Sequence, residues 1–101
     1  MATGSELLAK YRSKAVIFHE MTLLPKDAAL EFLDDCEEEE IRLLGCDGFS
    51  LPQGDAIRGS LDDVLDVSGK EYWDYSVSEL CDVLRDHIRM RAWLVFEFTL
   101  P

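Results

Sequence analysis

Two segments of this chain repeat apolar residues at helical spacing, which obliges the fold to bury two amphipathic helices. The later segment starts at Ser76 and Glu79, an S-x-x-E capping box. Its apolar stripe consists of Val77, Leu80, Cys81, Leu84 and Ile88. The earlier segment starts near Pro25, a residue suited to the first helical position, and its stripe consists of Ala29, Phe32, Leu33 and Cys36. Two such stripes need an apolar surface to cover, and the strand-like segments around them indicate a sheet.

These strand-like segments define the order of elements. They cover residues 15–21, 41–45 with a continuation at 49–51, 55–58 and 93–98. The run Pro52-Gln53-Gly54 predicts a turn, which makes a hairpin of the second and third strands. Ser60 and Asp63 resemble a capping pair and predict a single helical turn after that hairpin. The order of strand, helix, strand, strand, helix, strand is compatible with a ferredoxin-like arrangement.

These elements predict one α+β domain that spans residues 1–101. We expect a two-layer sandwich in which a mixed four-stranded sheet packs against two main helices, with a short N-terminal helix within residues 5–14. The three cysteines are odd in number and widely spaced, which indicates reduced, buried thiols rather than a disulfide framework. The sequence has no run of about eighteen apolar residues and no signal-type N-terminus, so we expect a cytoplasmic protein.

Negative charge is concentrated between Asp27 and Asp86. This stretch holds eighteen acidic and four basic residues, a local net charge of −14, whereas the whole chain carries −11. Such a field repels nucleic acid and anionic lipid headgroups, and it speeds the association of a basic protein surface. We therefore expect a basic protein partner, with no binding to nucleic acid or to membranes.

Residues that could carry metal or acid-base chemistry are sparse. The run Asp62-Asp63-Val64-Leu65-Asp66 matches D-D-x-x-D, in which carboxylates on successive helical turns hold magnesium ions against a diphosphate. The chain is too short for the large helical enzymes that use this motif. His19 and His87 are the only imidazoles, and neither lies at a short ligand spacing from another histidine or a cysteine. We expect no catalytic residue, metal or cofactor, and a small metal-dependent enzyme is the least favoured alternative.

The segment from Glu71 to Tyr75 interleaves three aromatic rings with two carboxylates, a composition suited to binding a cationic partner. We expect the anchors of the interface to be Tyr72, Trp73 and Asp74. The acidic residues that we expect to steer the partner and form the rim are Asp34, Asp35, Glu38, Asp62, Asp63 and Asp66. Two alternatives stay open. Trp73 and Tyr75 could instead cap the core, and the run Glu37 to Glu40 could be either a contact site or a solvated helix end.

From Leu23 to Phe49 the string LLPKDAALEFLDDCEEEEIRLLGCDGF resembles small bacterial immunity proteins encoded beside polymorphic toxins. The family pattern is a strand leading to L-P-x-x-D-A-L, an amphipathic helix, and a short strand that ends in G-x-D and an aromatic residue. The residues that fit this pattern are Leu24, Pro25, Ala28, Leu30, Gly45, Asp47 and Phe49. The resemblance implies a non-enzymatic protein that binds and neutralises a cognate toxin, and a nuclease toxin is basic because it must hold nucleic acid. The alternative is an adaptor or regulatory interaction domain.

Overall fold

The helices form where the apolar stripes and capping residues predict them. The computed structural model describes residues 2–18, 20–50 and 60–101, and its α-helices within these ranges are α1 (Gly4–Ala9), α2 (Lys26–Glu38) and α3 (Val77–Arg89). The capping box of α3 is complete, because Glu79 N–H donates to Ser76 Oγ over 3.1 Å and Ser76 N–H donates to Glu79 Oε1 over 2.9 Å. The predicted stripes of α2 and α3 face the core, and α1 is the expected short N-terminal helix.

The strands form one sheet, and neighbouring strands are antiparallel throughout the described residues. They are β1 (Val16–Phe18), β2 (Met21–Pro25), β3 (Gly45–Ser50), β4 (Ser60–Asp66) and β5 (Val95–Thr99). Their order across the sheet is β1-β2-β5-β3-β4. The α+β class is therefore confirmed, whereas the expected mixed, four-stranded sheet is wrong, because the described residues form a sheet of five strands that is antiparallel.

The additional strand arises because the first predicted strand is a hairpin. β1 ends at Phe18, Glu20 adopts a φ of 68°, and β2 starts at Met21, which pairs with Phe18. A positive φ allows the chain to reverse in a tight turn, and sequence periodicity did not indicate this turn because apolar residues lie on both sides of it. Pro25 is the last residue of β2. It is also the N-cap of α2, and not the first helical residue of α2 as predicted.

The predicted strand at 41–45 starts late because its first residues close α2. Glu40 N–H donates to Glu37 O over 3.1 Å, and Ile41 N–H donates to Cys36 O over 2.8 Å. Together with the φ of 56° at Glu40, these bonds form a Schellman closure, with glutamate in the left-handed position that glycine usually occupies. β3 therefore starts only after this closure, and it then continues without interruption to residue 50.

The helical turn predicted at Ser60 is wrong, because residues 60–66 form β4. This strand pairs with β3 from Ser60 opposite Ser50 to Asp66 opposite Gly45, with a bulge at Asp62. The pairing satisfies the main-chain groups of several residues at once, so it overrides a local capping pattern. β3 pairs with the next described strand, β4, whereas the turn at 52–54 and the returning strand at 55–58 of the predicted hairpin lie outside the described residues.

The order of strands across the sheet also differs from a ferredoxin-like sheet. From β2 onward, the strands and α-helices follow the expected order along the chain, namely β2, α2, β3, β4, α3 and β5. A ferredoxin-like sheet places the first and third strands of this series at its centre. Here the last and the second strands, β5 and β3, occupy the centre.

Helices α2 and α3 cover one face of the sheet. Cys46, Phe96 and Phe98 point toward this face and join the two helical stripes in one buried cluster. All three cysteines are buried and unpaired, as expected, and burial raises the pKa of the Cys36 and Cys46 thiols to about 12. The residues that alternate with this core set point to the opposite face of the sheet, which we call the outer face.

Candidate protein-binding surface

The predicted binding residues of α2 lie on the helical side of the molecule, and two of them bind side chains of the same chain. Arg85 of α3 donates to Asp34 Oδ1 over 2.8 Å and to Glu37 Oε1 over 2.5 Å. Asp35 accepts a hydrogen bond from the Tyr11 hydroxyl over 2.5 Å, and burial together with this bond raises the pKa of Tyr11. Glu38 is exposed and forms no ion pair with a described residue.

The aromatic segment between β4 and α3 is held in place by Arg42. The guanidinium donates to Tyr75 O over 2.6 Å and to Tyr72 O over 2.8 Å, and the two tyrosine rings lie 5.2 Å apart. Both tyrosines are partly buried against the core, which agrees with the capping alternative for Tyr75. Trp73 does not cap the core, because 66% of its surface is exposed. Asp74 is exposed beside it.

Trp73 is nevertheless held by its neighbours. Its Nε1–H donates to Ser68 O over 3.3 Å, and Lys70 Nζ lies 5.9 Å from the centre of its ring. The Ser68 hydroxyl and N–H both donate to Asp66 Oδ1, over 2.5 Å and 2.8 Å. These two bonds lower the pKa of Asp66. A short chain of contacts therefore connects Trp73 to the end of β4.

The three aspartates of β4 do not form the helical D-D-x-x-D arrangement. Asp63 points toward the helical side, where it contacts His87 Nε2 and accepts from Arg91 Nε over 3.0 Å. Asp66 lies on the outer face, opposite Gly45, and Asp62 is exposed at the bulge. Carboxylates on opposite faces of a strand cannot share one ion, and no group of three or more potential metal ligands occurs among the described residues.

Two carboxylates that we did not predict lie at the centre of the outer face. Asp47 of β3 is directly opposite Glu97 of β5. Burial raises the pKa of Asp47, and the charges of Asp63 and Asp66 raise it further. The pKa of Glu97 is raised by burial and then by Asp47. Within the described part of the chain, neither carboxylate has an ion-pair partner.

A shallow pocket of about 230 Å³ connects these features on the outer face. Its lining includes Gly45, Asp47, Val64, Asp66, Ser68 and Thr99. Because the carbonyl of Ser68 also holds the indole of Trp73, this exposed ring lies next to the pocket. The exposed side chains of Leu61 and Val64, at 53% and 59% exposure, extend the apolar surface along β4. We call this region the outer-face site.

The predicted binding residues are therefore divided between two sides of the protein. Trp73 and Asp66 belong to the outer-face site, whereas Asp34, Asp35 and Glu38 lie on the helical side. Glu97 had a detectable signal in the sequence, because it alternates with two buried phenylalanines in β5. No sequence pattern indicated that Glu97 lies opposite Asp47, because this position depends on which strands pair.

Comparison with known proteins adds no relative. No protein-family model, curated protein or solved structure matches this chain. The resemblance of residues 23–49 to immunity proteins therefore stays a prediction from sequence. Among the described residues, no helix is long and apolar enough to cross a membrane.

Proposed function

We propose that this protein is a non-enzymatic binding protein that holds a basic protein partner at the outer-face site. The observation that carries the proposal is the position of Trp73, an exposed indole beside a pocket whose lining includes Asp47 and Asp66. Aromatic rings with nearby carboxylates bind arginine and lysine side chains through apolar contact, cation–π attraction and charge. The Asp47 and Glu97 carboxylates do not stabilise the fold through an ion pair. They lie opposite one another in the sheet, and neither has an ion-pair partner among the described residues.

The partner that we propose is a cognate toxin, for which the protein serves as the immunity factor. The sequence resemblance supports this, and so does the local charge of −14 between residues 27 and 86, because a nuclease toxin must present a basic surface. The acidic residues of α2, including Glu38, act at longer range in this proposal. They increase the association rate of a positively charged protein without touching it.

A pull-down from extract of the native cell, first at low salt and then at moderate salt, tests the proposal. We expect one basic protein to be retained at moderate salt, and we expect its toxicity in a test cell to disappear when the present protein is co-expressed. A mixture of cationic proteins that all wash away at moderate salt would contradict dedicated binding. A single retained partner without toxicity would favour the adaptor alternative.

Two tryptophans of similar exposure provide a matched pair of variants. Trp73 is 66% exposed beside the pocket, and Trp93 is 73% exposed in the turn between α3 and β5. We expect Trp73→Ala to weaken binding of the retained partner by about 2 kcal/mol or more, as for a central aromatic anchor. Trp93→Ala should leave the affinity unchanged. Equal affinities for the two variants would show that the outer-face site is not the interface.

A further inference from the structure

Among the described strands, β4 forms one edge of the sheet, and part of its main chain has no hydrogen-bond partner within the described residues. It is seven residues long and, of these strands, pairs with β3 alone, whereas the opposite edge, β1, has three residues. An exposed edge of this length is a template on which another extended chain can add a strand.

The direction of the unpaired groups follows from one hydrogen bond. Val67 N–H donates to Leu44 O over 2.9 Å, so it points toward β3. Because main-chain groups alternate in direction along a strand, the N–H groups of Leu65 and Asp63 also point toward β3, and those of Val64 and Asp66 point away from the sheet. The outward main-chain groups of Val64 and Asp66 have no hydrogen-bond partner among the described residues.

The side chains along this edge indicate what kind of strand would fit. Val64 and Asp66 both lie on the outer face, where Val64 is 59% exposed and Asp66 is exposed. Asp47 lies in the next row of the sheet, opposite Val64. An added strand would therefore place one side chain beside an apolar residue, and the next side chain on the same face beside a carboxylate.

We propose that β4 binds an extended, cationic segment of the partner as a sixth strand of the sheet. This proposal rests on the proposed function and specifies how the partner is held. Main-chain hydrogen bonds to Val64 and Asp66 supply the binding, and a Lys or Arg side chain facing Asp66 and Asp47 supplies the selectivity.

A second copy of this chain is a poorer occupant of the edge. Each copy carries a net charge of −11. An antiparallel pair of β4 strands centred on Val64 would also bring the Asp66 carboxylates of both copies to the same edge, and like charges close together across a strand pair destabilise it. A cationic segment meets the same carboxylates with favourable charge.

A synthetic peptide of the same length as β4 tests the proposal directly. Its sequence alternates Val and Lys on one face with Thr between them, as in Val-Thr-Lys-Thr-Val-Thr-Lys, and both ends are blocked. Two isomers are compared, one N-methylated at the three Thr residues and the other at the two Lys residues and the second Val. Each isomer loses N–H groups of one edge only, and both carry three N-methyl groups, so the pair has matched charge, composition and methyl count.

We expect one isomer to bind as the unmodified peptide does and the other to bind at least about tenfold more weakly, because it loses two or more hydrogen bonds. The identity of the weaker isomer shows whether the added strand is parallel or antiparallel to β4. In the complex, amide hydrogen exchange of Val64 and Asp66 should slow. Equal binding by both isomers, equal loss by both, or no binding of the unmodified peptide would overturn the proposal.

Variants of the protein give an independent test. Val64→Pro removes the outward N–H, which an edge strand tolerates, and we expect it to weaken peptide binding about fivefold, the effect of one hydrogen bond. Val64→Thr keeps this N–H and the branched shape, and binding should change by less than about twofold. Slow amide hydrogen exchange at Asp63 and Leu65 in the Val64→Pro variant would establish that the pairing of β4 with β3 is intact. Similar binding by both variants would contradict edge addition.

Failure of edge addition and failure of the proposed function give different results. A peptide with Glu in place of Lys should not bind measurably, and equal binding of the two peptides would contradict recognition of a basic partner. Charge-dependent binding that ignores N-methylation would leave the basic partner in place and reject the edge. Dimerisation of the protein alone that is lost in Val64→Pro would identify a second copy as the occupant and reject the proposal.

Discussion

The paired carboxylates on the outer face predict a substitution that stabilises the fold and weakens its binding. Asp47 and Glu97 are direct cross-strand partners, and the Cβ atoms of such partners lie about 5 Å apart. Two unit charges about 6 Å apart repel by about 0.7 kcal/mol in water and about 3 kcal/mol at an effective dielectric constant of 20. Because both groups are partly exposed, we expect Asp47→Asn to raise the free energy of unfolding by about 1 kcal/mol at neutral pH.

The direction of the pH dependence follows from the raised pKa values of Asp47 and Glu97. A carboxyl whose pKa is higher in the folded state than in the unfolded state favours folding when it is protonated, and this contribution is lost as the pH rises through the folded pKa. The advantage of Asp47→Asn should therefore be present at neutral pH and shrink as the pH falls through the raised folded pKa of the wild-type carboxyl, which then becomes protonated.

Urea unfolding at neutral pH and at acidic pH measures this effect. Asp86→Asn is the control. Asp86 is exposed on α3, its Oδ1 lies 3.7 Å from Arg89 Nη1, and its substitution changes the net charge by the same amount as Asp47→Asn. We expect a change within about 0.5 kcal/mol for the control. The variant Asp47→Asn should also bind the cationic peptide more weakly than the wild type. A loss of stability at neutral pH, or a gain that persists at acidic pH below the folded pKa of Asp47, would refute an unfavourable negative charge at Asp47.

Other substitutions test the remaining contacts by urea unfolding. Glu40→Gly should stabilise the fold by about 1 kcal/mol because Glu40 has a φ of 56°, whereas Glu39→Gly, at a φ of −87°, should not stabilise it. A loss of stability in Glu40→Gly would contradict the Schellman closure. Arg85→Met should destabilise by about 1–2 kcal/mol because it leaves three carboxylates without their shared cation, and Arg89→Met, at an exposed site, should change little. Equal effects of the two would argue against this network. The thiols of Cys36, Cys46 and Cys81 should resist a thiol reagent until urea unfolds the chain, because burial raises their pKa values. Rapid labelling of the folded protein would contradict this.

The local elements could be predicted because their signals lie within a few neighbouring residues. The capping box at Ser76 and the apolar stripe that follows it correctly predicted α3, and the alternation of residues 93–98 correctly predicted a strand inside the sheet. Errors occurred where two local patterns competed. Residues 60–66 have both a capping pattern and strand-forming residues, and only the pairing with β3 decides between them.

The sequence by itself determined the two amphipathic helices, the buried thiols and the concentration of negative charge, because periodicity and composition are properties of contiguous residues. Only the tertiary structure placed Asp47 opposite Glu97, held Trp73 beside the pocket and left β4 at an edge. These relations join residues that are far apart in the chain, or depend on which strands are neighbours. Strand order and register are set by packing of the whole sheet, which no local pattern encodes.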